Sequence, residues 1–250
     1  MARTETSAAV PRPGSGEMFD GIAHRYDPLN RLMTFGLDSG WRKKMVRALE
    51  LPAGAKVLDL ATGTAAVALL IARRHPDATV IGLDPSPRML ELGRAKVAAE
   101  GLGDRIELEL GEAERLPYPD ESFDGVTIAF GIRNVEDRLA ALREIARVLK
   151  PEGIATILEA NEPQGLLAPF TRLHTRYVVP MLGSLLSSGD EYRYLQTSME
   201  AFPPPVFFSA IMAGCGLEVQ RIDSLGFGTC SLFVARRFSR GLTLITGARV

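Results

Sequence analysis

The chain has 250 residues and a net charge of −1, with 46% hydrophobic and 24% charged residues. Such a composition is typical of a globular protein, and the near-neutral charge gives no reason to expect a nucleic-acid partner. The two cysteines, Cys215 and Cys230, have no CxxC or Cys/His neighbourhood. This argues against a metal site or a disulfide framework and favours a reducing cytoplasm. Because no run of about 18 apolar residues occurs, no membrane-spanning helix is expected.

The N-terminal part of the chain divides into two segments. Residues 1–16 are rich in Pro, Gly, Ser and Ala and lack the apolar run of a secretory signal, so they are predicted to form a disordered tail. From Met18 to Leu49 apolar residues recur at helical spacing, and a second helix is indicated around GWRKKMVRALE. Residues 17–50 are therefore predicted to form an N-terminal helical cap.

Strands and helices then alternate. The candidate strands are AKVLDL, TVIGLD, IELELGEA, FDGVTIAFG and PEGIATILEA. This alternation predicts an α/β fold with a mostly parallel central sheet and helices on both faces. Near the end of the chain, LEVQRIDSLGFGTCSLFVARR predicts an antiparallel hairpin at the sheet edge. Residues 17–237 are predicted to form a single domain, and 238–250 a C-terminal tail.

The alternation of strands and helices stops at residues 164–200, which are predicted to form a helical lid over one end of the sheet. The stretch from Leu166 to Leu186 is largely apolar, is interrupted by prolines and contains Arg172 and Arg176. Two interpretations remain open for it. One is a surface that rests weakly and reversibly on a bilayer, and the other is a packing or homodimer interface.

The first chemical motif is VLDLATGTA. Asp59 lies at a strand end and is followed by a turn containing Gly63, which would bring backbone N–H groups and a helix N-terminus to a ligand. The alternative is a tight turn that needs one glycine for its backbone conformation. No third glycine opens the helix, so the motif is not the G-x-G-x-x-G fingerprint, which counts against a nucleotide-dependent oxidoreductase.

Two further carboxylates follow at strand ends. Asp84 comes about 20 residues after the turn, where a carboxylate can accept both hydroxyls of a ribose. Its alternative role is a helix N-cap, because Pro85 or Ser86 could open the next helix. Glu112 ends the third strand, where it can accept from an adenine amino group. Turn and carboxylates together predict a nucleoside-binding site.

These spacings resemble the Rossmann-like class I S-adenosylmethionine-dependent methyltransferases. Longer blocks, MFDGIAHRYDPLNRLMTFGLDSGWRKKMV, FGIRNVEDRLAALREIARVLKPEGIATILE and YRYLQTSMEAFP, resemble the UbiE/MenG C-methyltransferases, which methylate the ring of ubiquinone and menaquinone precursors. The resemblance implies S-adenosyl-L-methionine as cofactor and a lipid-soluble quinol as substrate, with conversion of demethylmenaquinol to menaquinol expected. The residues expected to bind the cofactor are Asp59, Ala61, Thr62, Gly63, Asp84, Pro85, Met89, Gly111, Glu112, Ala113 and Phe130.

Arg133 and Asn134 follow the strand in VTIAFGIRNVED. The carbon of a neutral phenol is a poor nucleophile, so the reaction needs donors to a developing oxyanion or a group that orients a water as base. The resemblance implies that this pair and Tyr26 face the quinol as catalytic residues. The alternative is that Arg133 pairs with Glu136 or Asp137 and Asn134 caps the next helix. His24 beside Tyr26 is a weaker candidate base, because a lone histidine on an amphipathic helix is usually a surface residue.

The chain departs from the family pattern at three places. Ala65 and Ala66 stand where members usually carry a glycine and an acidic residue, Glu112 replaces an aspartate, and LEANEP replaces an LEFSKP-like segment. We expect the Ala65 methyl to lie where the backbone approaches the cofactor. Because LEANEP borders the expected substrate pocket, a soluble phenolic acceptor remains an alternative. A non-catalytic binding protein is the other, and the expected location is the cytoplasm or the inner face of the cell membrane.

Overall fold

The computed structural model describes residues 16–162 and 189–238, which are built around a seven-stranded sheet of order β3-β2-β1-β4-β5-β7-β6. Strands β1 to β5 pair in parallel, whereas β7 pairs antiparallel with both β5 and β6. The predicted mostly parallel sheet with a C-terminal antiparallel hairpin is therefore confirmed. The strands are β1 (Lys56–Leu60), β2 (Thr79–Asp84), β3 (Ile106–Leu110), β4 (Phe123–Ala129), β5 (Leu149–Ala160), β6 (Leu217–Leu225) and β7 (Cys230–Arg237).

Helices cover both faces of the sheet. The starts of two of them are fixed by side-chain caps: Ser86 accepts from the Met89 N–H, and Asp137 accepts from the Ala140 N–H. Short 3-10 turns follow β4 (Ile132–Asn134) and precede β7 (Gly226–Gly228). The helices are α1 (Gly16–Met33), α2 (Leu37–Arg47), α3 (Ala66–Arg74), α4 (Pro87–Ala99), α5 (Arg138–Val148), α6 (Gly189–Glu200) and α7 (Pro205–Gly214).

The core consists of two layers separated by the sheet. In β1, Leu58 packs into the layer that includes α5 and α7, whereas Val57 packs into the layer that includes α2, α3 and α4. Both side chains are completely buried. A strand buried on both faces is an apolar run rather than an alternating pattern, which is why VLDL was recognisable in the sequence.

The predicted helical cap corresponds to α1 and α2, and α1 begins one residue earlier than expected, at Gly16. Most of the predicted lid lies outside the described residues, as do residues 1–15, 239–250 and His174; the described part of the lid is α6. Within residues 16–162 and 189–238, every helix is too short or too polar to cross a bilayer.

The topology fixes where a ligand can bind. Strand order reverses between β1 and β4, whose neighbours are β2 on one side and β5 on the other. In open α/β sheets, the crevice at the carboxyl ends of the strands beside such a reversal is the usual ligand site. The ends of β1 to β4 all lie along this edge, so the motifs recognised in the sequence converge there.

Candidate active site

A cavity opens at this edge, between α1 and the loops that follow β1 to β4. Nine of the eleven residues expected to bind the cofactor line it: Ala61, Gly63, Asp84, Pro85, Met89, Gly111, Glu112, Ala113 and Phe130. The cavity wall also contains Tyr26 and Asn134, two of the three residues expected to be catalytic. Residues from three separate sequence blocks therefore share one site.

Asp84, the last residue of β2, lies in the cavity wall. Its Oδ2 accepts from the Gly63 N–H at 2.8 Å and its Oδ1 from the Ser86 N–H at 2.9 Å. Burial raises the pKa of Asp84 to about 6. The two N–H donors act to lower this pKa, and the charge of Asp20 acts to raise it. The helix cap of α4 is Ser86, so the alternative reading of Asp84 as the N-cap is wrong, and Asp84 retains acceptor capacity for a ligand.

Asp59 and Thr62 lie behind the cavity wall rather than in it. The Asp59 carboxylate is buried and accepts from the hydroxyls of Thr62 and Thr127, both at 2.6 Å. Burial raises the pKa of Asp59 to about 6, against the effect of these two donors. In this structure, Asp59 and Thr62 hold the turn that carries Gly63, whereas Ala61 and Gly63 line the cavity.

Helix α1 forms the roof of the cavity. Two aspartates attach it: Asp20 accepts from the Ser86 hydroxyl at 2.5 Å and the Arg88 N–H at 3.0 Å, and Asp27 accepts from the Thr64 hydroxyl at 2.9 Å. Asp27 also forms an ion pair with Lys96. The roof contributes Gly16 and Phe19 to the wall; neither was predicted, and the only sequence signal was their place in or beside the family-like block MFDGIAHRYD.

Gly16 is a point of close approach between the roof and the floor. A Cβ at this position would lie 2.5 Å from the Pro85 carbonyl oxygen. Only glycine therefore permits this packing without a shift of backbone, and it brings the start of α1 directly over the end of β2.

Arg133 is held by Glu159, which lies near the end of β5. The guanidinium forms an ion pair with the Glu159 carboxylate, and the Arg133 backbone N–H donates to Glu159 Oε2 at 3.2 Å. The Glu159 side chain is completely buried and that of Arg133 is 10% exposed. Burial acts to lower the pKa of Arg133, but the charge of Glu159 outweighs it and the pKa is raised. In place of the alternative pairing with Glu136 or Asp137, the ion pair joins Arg133 to Glu159.

One Arg133 donor remains available. Its Nε is buried and has no hydrogen-bond partner among the residues that the structure describes. A buried N–H is costly to leave unpaired, so this atom is a candidate donor to a bound ligand. Arg133 itself is absent from the cavity lining; it lies beside Asn134, which does line the cavity.

Asn134 is fixed by two contacts. Its Nδ2 donates to the Phe130 carbonyl oxygen at 3.3 Å, and its Oδ1 accepts from the Tyr194 hydroxyl at 2.9 Å. The cap of α5 is Asp137, so the alternative reading of Asn134 as that cap is wrong. No sequence pattern points to Tyr194, because its partner lies 60 residues away along the chain.

His24 and Ala65 both lie outside the cavity lining. His24 is exposed, with its Nε2 2.9 Å from Nη2 of Arg88, and it does not line the cavity. The expectation for Ala65 is wrong: its side chain is completely buried, and it lies opposite Gly93 of α4 rather than in the cavity wall.

In the LEANEP segment, Asn161 is buried and bonds to the Gly228 carbonyl oxygen and the Ser231 hydroxyl, each at 2.8 Å. This replacement therefore supports the β6–β7 turn.

The chain is similar in sequence to known proteins over most of its length. Over 225 residues, 88% of this chain and 87% of the relative, the chain is 44% identical to the ubiquinone/menaquinone biosynthesis C-methyltransferase UbiE of Geobacter sulfurreducens. It is 45% identical to the demethylmenaquinone methyltransferase of Thermus thermophilus, covering 88% of this chain and all of the relative.

Solved structures share the fold at low sequence identity. A SAM-dependent methyltransferase from Aquifex aeolicus superposes with a TM-score of 0.64 at 20% identity, covering 88% of this chain and 98% of that one. Geranyl diphosphate C-methyltransferase from Streptomyces coelicolor superposes with a TM-score of 0.62 at 14% identity, covering 81% and 80%. These likenesses show the class I methyltransferase fold.

The sequence model of the ubiE/COQ5 methyltransferase family matches residues 9–237. The cavity fits the methyl donor of that family, because a buried carboxylate and a glycine turn meet at the end of β1 and β2. The chain belongs to the ubiE/COQ5 methyltransferase family and is an S-adenosylmethionine-dependent methyltransferase.

Proposed function

We propose that this enzyme methylates a ring carbon of a prenylated hydroquinone in menaquinone or ubiquinone biosynthesis, with demethylmenaquinol as the acceptor. The names of the relatives support a quinone-type acceptor. The observation that carries the proposal is a pair of neighbouring polar donors, the Asn134 amide in the cavity wall and the unpaired Arg133 Nε beside it. A phenolic oxygen needs such donors when its ring attacks an electrophile.

The cofactor half of the cavity would be held by residues at the ends of β1, β2 and β3. Asp84 would accept from the ribose hydroxyls, the turn at Gly63 would lie against the methionine part, and Glu112 would accept from the adenine amino group. S-adenosylmethionine supplies an electrophilic methyl group. Helix α1, with Phe19 and Tyr26 facing the cavity, excludes water from the donor and holds it near the acceptor.

In the acceptor half, Arg133 acts as a hydrogen-bond donor. Its pKa is raised by Glu159, so the guanidinium stays protonated throughout the reaction. Arg133 Nε and Asn134 Nδ2 donate to the acceptor oxygen and stabilise its phenolate form, which makes the adjacent ring carbon nucleophilic. The ring proton is then removed by a group other than Arg133, such as a water positioned by the same residues. Tyr26 lines the site from α1.

The alternatives have less support. A non-catalytic binding protein was suggested by Ala65, but its side chain faces α4 and not the cavity. A soluble phenolic acceptor was suggested by LEANEP, but Asn161 of that segment is engaged by β7 and the turn before it. Neither Ala65 nor residues 158–162, the described part of that segment, line the cavity.

We also propose that the enzyme works in the cytoplasm and touches the inner face of the membrane to reach its acceptor. A prenylated quinol is dissolved in the bilayer, so weak peripheral contact would give the enzyme access to it. Sedimentation with vesicles of anionic lipid, with and without demethylmenaquinone, tests this contact, and analytical ultracentrifugation tests a homodimer.

The central experiment is a methyl-transfer assay. Purified protein is incubated with S-adenosylmethionine carrying a radiolabelled methyl group and chemically reduced demethylmenaquinone, and label is followed into the organic phase and identified as menaquinone. A parallel incubation contains water-soluble naphthols in place of the quinol. Transfer to the quinol supports the proposal. Transfer only to the soluble phenols contradicts the acceptor, and cofactor binding without any transfer contradicts catalysis.

A further inference from the structure

Tyr194 connects α6 to the catalytic turn after β4. Its hydroxyl donates to Asn134 Oδ1 at 2.9 Å, and α6 packs against the 3-10 turn that contains Arg133 and Asn134. The Tyr194 ring is only partly exposed.

The orientation of the Asn134 amide follows from its two contacts. The Phe130 carbonyl oxygen can only accept, so Nδ2 lies on that side and Oδ1 faces Tyr194. The contact with Phe130 is long, at 3.3 Å, and holds the amide weakly by itself. Phe130 therefore sets which end of the amide faces which neighbour, and the shorter bond from Tyr194 holds the amide in that orientation.

An amide nitrogen carries two N–H groups, and Phe130 takes one of them. Asn134 lies in the cavity wall, so the second N–H is available to a ligand there. Without the Tyr194 hydroxyl, only the long contact with Phe130 holds the amide, and rotation of the side chain would present Oδ1 to an acceptor oxygen for part of the time. A lone-pair-bearing oxygen repels a developing oxyanion, so the wrong orientation is unproductive.

We propose that Tyr194 is a positioning residue, whose hydroxyl orients the Asn134 amide so that its free N–H is presented to the acceptor oxygen. The proposal rests on the proposed function, because it assigns a support to the acceptor site of that reaction. Tyr194 acts through Asn134 and is absent from the cavity lining.

The test compares Tyr194→Phe, Asn134→Ala and the double variant with the parent enzyme. Tyr118→Phe is the matched control, because its hydroxyl also donates to one side chain, Glu109 Oε2 at 2.6 Å, outside the cavity lining. We expect Tyr194→Phe to lower kcat for the quinol about tenfold, the effect of one lost oriented hydrogen bond. Affinity for S-adenosylhomocysteine and KM for the quinol should change by less than about twofold, as should every parameter of the control.

The double variant separates positioning from general support of the fold. If Tyr194 acts through Asn134, Tyr194→Phe lowers kcat only when Asn134 is present, and the double variant matches Asn134→Ala. Equal falls in both backgrounds, or a fall accompanied by lost cofactor affinity, would overturn the proposal.

A readout without turnover keeps this test independent of the proposed function. The side-chain amide signal of Asn134, assigned by its loss in Asn134→Ala, should shift in the nitrogen–proton spectrum of Tyr194→Phe and stay in place in Tyr118→Phe. If the parent enzyme methylates no quinol, the proposed function fails while this spectrum still decides the role of Tyr194. An unmoved Asn134 signal would overturn that role even in an active enzyme.

Discussion

The carboxylate of Glu159, near the end of β5, and the guanidinium of Arg133, in the turn after β4, form an ion pair in which the glutamate is completely buried. Glu159 also accepts the backbone N–H groups of Arg133 at 3.2 Å and of Ala160 at 2.8 Å. Side chain and backbone of Arg133 are thus fixed by one carboxylate. Because the pair is nearly desolvated, removal of either charge leaves the other without compensation.

Replacement of Glu159 by Gln should therefore destabilise the fold. We expect the free energy of unfolding to fall by about 3 kcal/mol, because an isosteric amide leaves the Arg133 charge buried and unpaired. Urea denaturation followed by circular dichroism measures this fall. The matched control is Glu100→Gln, which breaks the exposed pair with Arg73 and should cost less than about 1 kcal/mol. Equal losses in the two variants would contradict the assignment.

Replacement of Arg133 by Ala should abolish methyl transfer while cofactor binding is retained. Arg133 is absent from the cavity lining, whereas its Nε is the proposed donor to the acceptor oxygen. Loss of one such donor lowers kcat by about 100-fold to 1,000-fold in other enzymes. Calorimetry with S-adenosylhomocysteine and the labelled-methyl assay measure the two effects. Transfer at near the parent rate would exclude the role assigned to Arg133.

Cofactor affinity should fall in mildly acidic solution. The pKa of Asp84 is raised to about 6, chiefly by burial, and only its ionised form can accept from both ribose hydroxyls. Each pH unit below that pKa should weaken binding by up to about tenfold, and affinity should level off above it. Calorimetric titrations across this range check the slope. Asp84→Asn should bind weakly and lose this component of the pH dependence, and a parent enzyme with constant affinity would contradict it.

The same carboxyl groups affect stability with the opposite sign. For Asp59 and Asp84, the folded pKa of about 6 lies above the ordinary aspartate pKa of 3.8, so the folded state binds protons more readily than the unfolded state. The two groups therefore lower stability at neutral pH, and this cost is relieved as pH falls from about 6 towards 4. The protein without cofactor should gain stability from them in the range where it loses cofactor affinity.

The attachment of α1 should control how long the cofactor stays bound. Asp27 joins α1 to Thr64 in the turn beside the cavity and to Lys96 of α4. Because the Asp27–Lys96 pair is about half exposed, we expect Asp27→Ala to speed dissociation of S-adenosylhomocysteine by only about threefold to tenfold. Stopped-flow displacement measures this rate. Glu91→Gln, which removes an exposed pair with Arg88 on α4, is the control, and equal rates in both variants would contradict the role of α1.

The fold was predictable because each of its signals is local. VLDL reads as an apolar run since both of its faces are covered, and the caps and turns that follow mark where each strand gives way to a helix. Asp84 and Glu112 were recognisable for the same reason, since each comes directly after its strand and parallel strands bring their ends to one edge.

The contacts that support the site were not predictable, because they join distant parts of the chain. Glu159 is 26 residues from Arg133, and acidic residues at Glu136 and Asp137 were nearer candidates in the sequence. Nothing local marks Tyr194 as the partner of Asn134, since α6 reaches the turn only through the tertiary fold. Sequence patterns therefore identified the residues that line the cavity better than the residues that hold those residues in place.

A substitution at Ala65 tests whether its methyl group lies against the cofactor, as was expected from the sequence. Its φ of 64° is the left-handed conformation that favours glycine, and this conformation turns its methyl group towards Gly93 of α4. Ala65→Gly should therefore leave the Kd for S-adenosylmethionine within about twofold of the parent. Relief of backbone strain and loss of a buried methyl group, each about 1 kcal/mol, should nearly cancel in stability.

Gly131→Ala is the contrasting variant. Its new Cβ would lie 2.5 Å from the Cβ of Ala61, and both residues line the cavity. The loops after β1 and β4 would have to separate, so cofactor affinity should fall by about tenfold or more. Calorimetry gives the Kd of both variants. It compares the effect of a methyl group outside the cavity lining, at Ala65, with that of one added within the lining, at Gly131. Tighter binding by Ala65→Gly would show that the Ala65 methyl does reach the cofactor, against the placement of its side chain between α3 and α4.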